Sequence, residues 1–452
     1  METINPATGE RLKTFDVWND RQVEAALTRA AKAGPDWQAT PFVERARLLR
    51  RAAAELRENS TYYAAIITLE MGKIAREARA EIEKCAWGCE FYADQAETLL
   101  RDEIIPTDAS SSYVSYAPLG AVLAIMPWNF PFWQVFRFAA PNLMAGNIAL
   151  LKHASNVPQC ALAIEAIFLK AGFPPGVFQM LMISAAQAEK LIADPRIHAV
   201  TLTGSETAGR RVAAAAGAAL KKTVLELGGS DAFIVLADAD IEQAVDTGIA
   251  SRFLNCGQSC IAAKRFILEE SIAEVFIERF KRKAHALRLG DPMNEETQLG
   301  PMARADLRDQ LHKQVTDSVM AGAVFALHGG PAAGPGFFYE PTVLDHVRPG
   351  MRAAEEELFG PVAVVMRTRD EEEAVRLAND SRYGLGATVF TRDVKKGERL
   401  MRRIESGSGF VNGMVKSDPR LPFGGIKASG YGRELSVHGI REFVNVKTIW
   451  VK

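Results

Sequence analysis

The sequence predicts an α/β protein that contains two mainly parallel β-sheets. From Gly120 onward, short apolar strands alternate with helices, which is typical of parallel sheets covered by helices on both faces. A second alternating series begins at Ala232, so we expect two α/β domains that meet near residue 228. The chain of 452 residues is long enough for two large domains.

Helices are predicted before the alternation starts. Apolar residues recur at helical spacing over 23–33, 42–59 and a long run at 62–100. Gly34-Pro35 and Thr40-Pro41 are expected to separate these helices.

The two series supply the remaining elements. In the first, strands are predicted at 121–127, 147–153, 177–182, 199–202 and 223–227, and helices at 132–145, 158–170, 187–193 and after Gly204. In the second, strands are predicted at 232–236, 265–268, 363–367, 388–390 and 409–411, and helices at 241–253, 272–287, 305–321, 371–380 and 396–404.

Two further segments are predicted to be extended. Residues 111–118 contain aromatic and β-branched residues that indicate a hairpin strand, and residues 442–451 indicate a lone strand. Because an exposed apolar strand promotes aggregation, the tail needs a partner. We expect it to pair with 111–118 across a subunit interface.

Composition argues against several functional classes. Lys and Arg number 54 and Asp and Glu number 55, so the chain lacks the basic excess of a nucleic-acid-binding protein. No apolar stretch is long enough to span a membrane, and the first ten residues do not resemble a secretory signal. We therefore expect a cytosolic protein. The five cysteines and scattered histidines predict neither a disulfide framework nor a metal site.

Cys260 and Glu226 are the first candidate catalytic residues. Cys260 follows Gly-Gln-Ser, where small residues allow close approach of a substrate to a nucleophilic thiolate. The alternative is a buried structural thiol. Glu226 stands at the end of an apolar strand before two glycines, where burial would raise its pKa into the range of a general base. The alternative is a surface Glu in a tight turn.

Two other motifs point to an oxyanion and a phosphate. In the segment 126–131, two prolines fix the backbone around Asn129, whose amide can donate to a developing oxyanion. The segment 203–209 is a strand, glycine and helix junction, and helix N-terminal amides bind phosphate. The alternative for the first segment is a cis-proline turn with Trp128 as packing, and the second segment matches neither the GxGxxG nor the Walker phosphate-binding motif.

Together, in this order, the four motifs resemble the aldehyde dehydrogenase superfamily. Further similar segments span most of the chain, at 5–9, 69–73, 356–361, 379–385, 422–425 and 429–434. The runs at 128–147 and 150–161 are especially similar to short bacterial succinate-semialdehyde dehydrogenases.

The resemblance implies a fold and a mechanism. It implies a Rossmann-like cofactor domain (1–100 and 119–228), a catalytic α/β domain (229–439) and small β oligomerisation strands (101–118 and 440–452). Cys260 would attack the aldehyde, Asn129 and the Cys260 N–H would hold the oxyanion, and Glu226 would activate water to hydrolyse the thioester. A homodimer or homotetramer would form through the C-terminal strand. The implied cofactor-binding residues are Trp128, Asn129, Lys152, His153, Ala154, Ser155, Gly204, Ser205, Leu227, Glu357 and Phe359.

The segment Lys152-His153-Ala154-Ser155 bears on cofactor choice. In NAD-preferring relatives, a Glu often stands at the position of Ser155 and accepts from ribose hydroxyls. A carboxylate would repel a 2′-phosphate, whereas Ser155 can donate to it and Lys152 can neutralise it. We therefore predict NADP as the preferred cofactor, with NAD as the alternative. His153 replaces a more usual Pro, and it is either a contact residue or a spacer.

Arg137 bears on the substrate. It lies eight residues after Asn129, on the helix that flanks the substrate tunnel in this family, and it would bind a substrate carboxylate bidentately. Ser417 would supply a second carboxylate contact and Trp133 a tunnel wall. The alternative is that Arg137 forms a salt bridge within the protein.

Succinate semialdehyde is therefore the predicted substrate. Glutarate semialdehyde or aliphatic aldehydes are alternatives, as are an acylating enzyme that uses coenzyme A and a non-catalytic binding protein on the same fold. A reversible disulfide between Cys256 and Cys260 is a further hypothesis.

Overall fold

A computed structural model describes the whole chain, residues 1–452. The helices are α1 (Asp20–Ala39), α2 (Phe42–Glu58), α3 (Ser60–Met71), α4 (Ala75–Leu99), α5 (Trp133–Ala145), α6 (Pro158–Ala171), α7 (Ala185–Ile192), α8 (Glu206–Ala218), α9 (Ile241–Phe253), α10 (Glu270–His285), α11 (Ala305–Met320), α12 (Arg352–Glu355), α13 (Glu371–Asn379), α14 (Val394–Met401) and α15 (Ser436–Arg441).

The strands alternate with these helices after residue 120. They are β1 (Glu2–Ile4), β2 (Arg11–Thr14), β3 (Glu103–Ile104), β4 (Ser111–Pro118), β5 (Ala121–Met126), β6 (Ile148–His153), β7 (Phe178–Met180), β8 (Ala199–Thr203), β9 (Lys222–Glu226), β10 (Asp231–Val235), β11 (Ala263–Glu269), β12 (Val324–Leu327), β13 (Thr342–Asp345), β14 (Val362–Thr368), β15 (Tyr383–Gly384), β16 (Gly386–Phe390), β17 (Ser408–Val411), β18 (Ile426–Lys427), β19 (Gly430–Tyr431) and β20 (Val444–Val451).

Two large sheets dominate the structure and confirm the predicted α/β class. The first has six strands in the order β19-β9-β8-β5-β6-β7, parallel except for β19. The second has seven strands in the order β12-β13-β14-β11-β10-β16-β17, parallel except for β12. Each sheet has its own hydrophobic core, because parallel strands bury both faces. The domain limits given above stay a prediction.

The helical region differs from the prediction at two points. Helix α1 continues through Pro35, because Trp37 beyond it is buried against Phe173 and holds the last turn in place. The predicted helix over 62–100 is instead two helices. Gly72 ends α3 in the left-handed conformation (φ 80°), which an L side chain rarely adopts.

The tail strand pairs with the expected segment but within the same chain, so the expected pairing across a subunit interface is wrong. Strand β20 runs antiparallel to β4, from Val444 opposite Pro118 to Val451 opposite Ser111. The carbonyl of Phe443 accepts from Asn147 Nδ2 at 2.8 Å, which anchors the start of β20 to the first core. No helix is long and apolar enough to cross a membrane.

Candidate active site

A cleft of about 590 Å³ is lined by residues from both α/β halves of the chain. Its walls come from the carboxyl ends of β5, β8 and β9 and from loops that precede β11 and β14. In the first sheet, β6 and β7 follow β5 on one side of it, whereas the next two strands, β8 and β9, lie on its other side. The strand order therefore reverses at β5. The cleft is therefore at the switch point where open α/β sheets bind ligands.

Cys260 lies in this cleft, in the loop before β11. Lys264 fixes that loop, since its Nζ donates to the Cys260 carbonyl at 2.8 Å and to the Ser259 carbonyl at 2.9 Å. Gly229 packs so tightly that a Cβ there would lie 2.6 Å from the Cys260 carbonyl oxygen. Burial raises the pKa of the Cys260 thiol to about 12, so its attack requires a base or a nearby positive charge.

Two hydrogen-bond donors near Cys260 remain available. Asn129 is buried, its Oδ1 accepts from Gln134 Nε2 at 3.2 Å, and its Nδ2 donates to the Gln258 carbonyl at 3.0 Å. That bond uses one of the two amide hydrogens, so the other is free. The backbone N–H of Cys260 has no acceptor within the chain. These donors can stabilise an oxyanion formed at the sulfur-bound carbon.

The break between α3 and α4 contains a residue that stabilises the Asn129 loop. It places the buried Lys73 so that its Nζ donates to the Asn129 carbonyl at 3.0 Å and pairs with Glu81. The Glu81 carboxylate in turn accepts from the backbone N–H groups of Phe132 and Trp133, at 2.8 and 2.9 Å. The buried pair therefore holds the loop and the first turn of α5 in one geometry.

Glu226 is the last residue of β9 and is buried, with no hydrogen-bond partner on either carboxylate oxygen. Burial and the Glu434 carboxylate raise the pKa of Glu226 to about 8, against the opposing charge of Arg137. A carboxylate with this pKa and free oxygens is suited to take a proton from water near neutral pH.

Seven of the cofactor-binding residues named above line the cleft. Trp128 packs edge-to-face on Phe359, with ring centroids 5.8 Å apart, and Glu357 accepts from the Gly229 N–H at 3.1 Å. Ser205 caps α8 and, with Gly204, lines the cleft beside the N-terminus of this helix. The seven are Trp128, Asn129, Gly204, Ser205, Leu227, Glu357 and Phe359.

The other four, Lys152 to Ser155, lie at the carboxyl end of β6 and do not line this cavity. Lys152 is partly buried without an ion-pair partner, and burial lowers its pKa. Ser155 is exposed beside it. The His153 ring is buried, its Nε2–H donates to the Pro131 carbonyl at 2.8 Å, and its Nδ1 accepts from the Ala154 N–H at 2.9 Å, so the ring supports the loop around Asn129.

A second cavity of about 200 Å³ meets the cleft at Cys260. It brings together the three residues assigned above to substrate binding, Trp133, Arg137 and Ser417. The Trp133 Nε1–H donates to Ser417 Oγ at 3.1 Å.

Arg137 also forms the internal salt bridge that the sequence left as an alternative. Its guanidinium lies 2.5 Å from a carboxylate oxygen of Glu434, and both side chains are nearly fully buried. It also lies over the Phe423 ring, 4.6 Å from the centroid. Arg137 therefore reaches the cavity with much of its charge already balanced.

Sequence reasoning missed three charged residues of the site. Lys264 supports the nucleophile loop, Glu434 pairs with Arg137, and Lys84 lines the second cavity. Glu434 stands in the segment 429–434 that carries the family resemblance, so its position could have been flagged. Lys84 lies on a helix that the sequence shows only as amphipathic.

Comparison with known proteins identifies the family of this chain. A family model described as the aldehyde dehydrogenase family matches residues 1–449. A Synechocystis protein named probable succinate-semialdehyde dehydrogenase (NADP+) is 53% identical over 451 residues, covering 100% of this chain and 99% of that protein. A Mycobacterium tuberculosis protein named succinate-semialdehyde dehydrogenase (NADP+) 1 is 51% identical over 456 residues, with 100% and 99% coverage.

Comparison with solved structures agrees with the sequence matches. The crystal structure of succinic semialdehyde dehydrogenase from Streptococcus pyogenes, in complex with NADP+, superposes with a TM-score of 0.97 and 40% identity, covering 100% of this chain and 99% of that one. These matches confirm the family resemblance read from the motifs. The chain belongs to the aldehyde dehydrogenase family.

Proposed function

We propose that this enzyme oxidises succinate semialdehyde to succinate, with NADP as the hydride acceptor. The observation that carries the substrate assignment is the cavity beside Cys260, which combines aromatic walls with the cationic Arg137 and the hydroxyl of Ser417. A small aldehyde that ends in a carboxylate fits both features. The names of the Synechocystis and M. tuberculosis relatives agree with this assignment.

The residues of the chain divide the chemistry between two half-reactions. Cys260 releases its thiol proton to solvent water, and its sulfur bonds to the aldehyde carbon, while Asn129 and the Cys260 N–H stabilise the resulting oxyanion. After oxidation, Glu226 takes a proton from water, the hydroxide adds to the thioester carbon, and the carbon–sulfur bond breaks to release succinate. Glu226 argues against the acylating alternative, because a coenzyme A thiol needs no such base for deacylation.

The cleft fits a nicotinamide dinucleotide. The amides at the start of α8 suit a pyrophosphate, and the Glu357 carboxylate suits ribose hydroxyls. Trp128 and Phe359 offer aromatic walls for the ring system. NADP+, when bound, supplies the hydride acceptor for the Cys260 adduct.

The preference for NADP over NAD rests on Lys152 and Ser155. Lys152 is a partly buried cation without an acidic partner, at the carboxyl end of the strand next to β5. A 2′-phosphate would neutralise Lys152, and Ser155 would donate a hydrogen bond to it.

Steady-state kinetics test the proposal. We expect kcat/KM to be highest for succinate semialdehyde, lower for glutarate semialdehyde and at least about tenfold lower for butanal, with NADP favoured over NAD. Equal turnover of butanal would overturn the substrate assignment. A rate that depends on coenzyme A would overturn hydrolysis by Glu226.

We also propose a homodimer or homotetramer that forms through the β20 edge. The side chains of Val446 (61% exposed) and Trp450 (49% exposed) leave apolar surface on this edge strand. Light scattering should give a mass of two or four chains, which Trp450→Asp should reduce. A monomeric wild type would contradict the proposal.

We place the enzyme in the cytosol, where a nucleophilic thiol such as Cys260 stays reduced.

A further inference from the structure

Lys84, on α4, lines the same cavity as Cys260 and Arg137. We propose that Lys84 is a second cation, besides Arg137, that pairs with the carboxylate of the aldehyde substrate, with the Ser417 hydroxyl donating beside it. This inference rests on the proposed function and deepens it, because it names the group that supplies the net positive charge of the substrate site.

Arg137 and Lys84 differ in how far their charges are already balanced. Arg137 is already paired with the buried Glu434, so a substrate carboxylate would compete with that carboxylate for it. Lys84 has no ion-pair partner, and its hydrogen bond goes to Ser417 Oγ at 2.7 Å.

The acidic groups near Lys84 are committed elsewhere. Glu81, on the same helix, pairs with Lys73, and Asp418 pairs with Arg420 at 2.7 Å. Glu77, one turn before Glu81, lines the same cavity, but it makes no ion pair with Lys84, and it accepts from the Asn255 N–H at 2.8 Å. Burial raises the pKa of Glu77 to about 7, which reduces its negative charge at neutral pH. A partly buried ammonium group without an anion is costly, and an entering carboxylate would remove that cost.

The hydrogen bonds of Ser417 leave its hydroxyl free to donate. Its oxygen accepts from two groups that can only donate, the Lys84 ammonium and the Trp133 indole N–H. Both lone pairs are therefore used, and the hydroxyl hydrogen has no acceptor within the chain. The Ser417 hydroxyl is left as a donor beside Lys84, and a carboxylate can accept from both groups at once.

The Lys84 side chain is held in place in the cavity. Its Nζ lies 4.6 Å from the centroid of the Trp133 ring, a distance at which the ring attracts a cation. Burial and the charge of Arg137 lower the pKa of Lys84 to about 8, so the side chain is still mostly protonated at neutral pH.

The test uses the full-length enzyme with NADP, comparing wild type, Lys84→Met, Lys84→Arg and the control Lys32→Met, an exposed lysine on α1. Succinate semialdehyde and butanal are the two substrates. For Lys84→Met we expect KM for the semialdehyde to rise about 10- to 100-fold, the usual range for a lost hydrogen bond to a charged partner. KM for butanal, which has no carboxylate, should rise much less than KM for the semialdehyde, and an unchanged circular dichroism spectrum would show that the variant is folded.

Two further readouts sharpen the result. Lys84→Arg should restore at least part of the affinity, and inhibition of butanal oxidation by succinate should weaken in Lys84→Met as the semialdehyde KM rises. A Lys84→Met enzyme that keeps the wild-type preference for the semialdehyde over butanal overturns the role of Lys84 alone. A wild-type enzyme without that preference overturns the proposed substrate itself, so the two failures are distinct.

Discussion

The buried pair of Arg137 and Glu434 makes a quantitative prediction about stability. With side-chain exposures of 4% and 6%, removing either partner leaves a charge buried without compensation. Breaking such a pair costs about 3 to 5 kcal/mol of unfolding free energy, whereas replacing both partners by apolar side chains is often close to neutral. We therefore expect Arg137→Met and Glu434→Met each to lose about 3 to 5 kcal/mol, and the double variant to lose less than about 2 kcal/mol.

Urea unfolding followed by tryptophan fluorescence, at one fixed protein concentration, would measure these differences. A double variant that loses the sum of the two single losses would refute the reasoning, because uncoupled side chains do not share a buried charge.

The same variants should shift the pH dependence of turnover. Arg137 lowers the pKa of Glu226 and Glu434 raises it, and a general base loses activity as it is protonated, so Arg137→Met should move the acidic limb of deacylation above pH 8 and Glu434→Met should move it below. An unchanged limb in both variants would show that Glu226 does not set that limb.

Glu226 also destabilises the fold as pH rises, because its folded pKa of about 8 exceeds its ordinary value of 4.5. Stability should fall between those two pH values, and Glu226→Gln should flatten that fall.

Three other outcomes follow from the site. Glu226→Gln should slow steady-state turnover about 10²- to 10⁴-fold but keep a first-turnover burst of NADPH equal to the enzyme concentration, and loss of the burst would remove Glu226 from deacylation. Ser155→Glu should raise KM for NADP at least about tenfold with little change for NAD, and Ser155→Ala is the matched control; equal effects on both cofactors would reject a 2′-phosphate contact. Cys256→Ala should keep turnover within about twofold. Peroxide treatment of wild type followed by mass spectrometry should show no crosslink to Cys260, since Cys256 is buried and burial raises the pKa of its thiol.

Local pattern was enough to predict most of the fold. The predicted strands β5 to β11, β14, β16 and β17 are short apolar runs between turn residues, and helix α9 was predicted with its observed limits, Ile241–Phe253. Helix α1 was harder, because a proline argues for a break and only the distant packing of Trp37 on Phe173 overrides it. The short strands β18 and β19 were missed because two residues carry no period that a sequence can show.

The site also has residues that sequence motifs predicted and contacts that they did not. Cys260, Glu226 and Asn129 were predicted because each stands in a motif at the end of a strand or in the loop after a helix. Lys84 and the pairing of Arg137 with Glu434 depend on contacts between residues that are far apart in the chain. No local pattern encodes such contacts, so they became visible only in the folded structure.

Strand β19 has a consequence for how the enzyme is made. Gly430 pairs with Glu226, and the neighbouring β20 closes on β4, so two segments near the end of the sequence complete structures formed by its first half. During synthesis on the ribosome, the edge of the first sheet at β9 would stay unpaired until these segments are synthesised. Such late, long-range pairing slows folding and exposes edges to aggregation. A nascent chain stalled before residue 430 should therefore be dependent on chaperones and unable to deacylate, even though it already contains Asn129, Glu226 and Cys260.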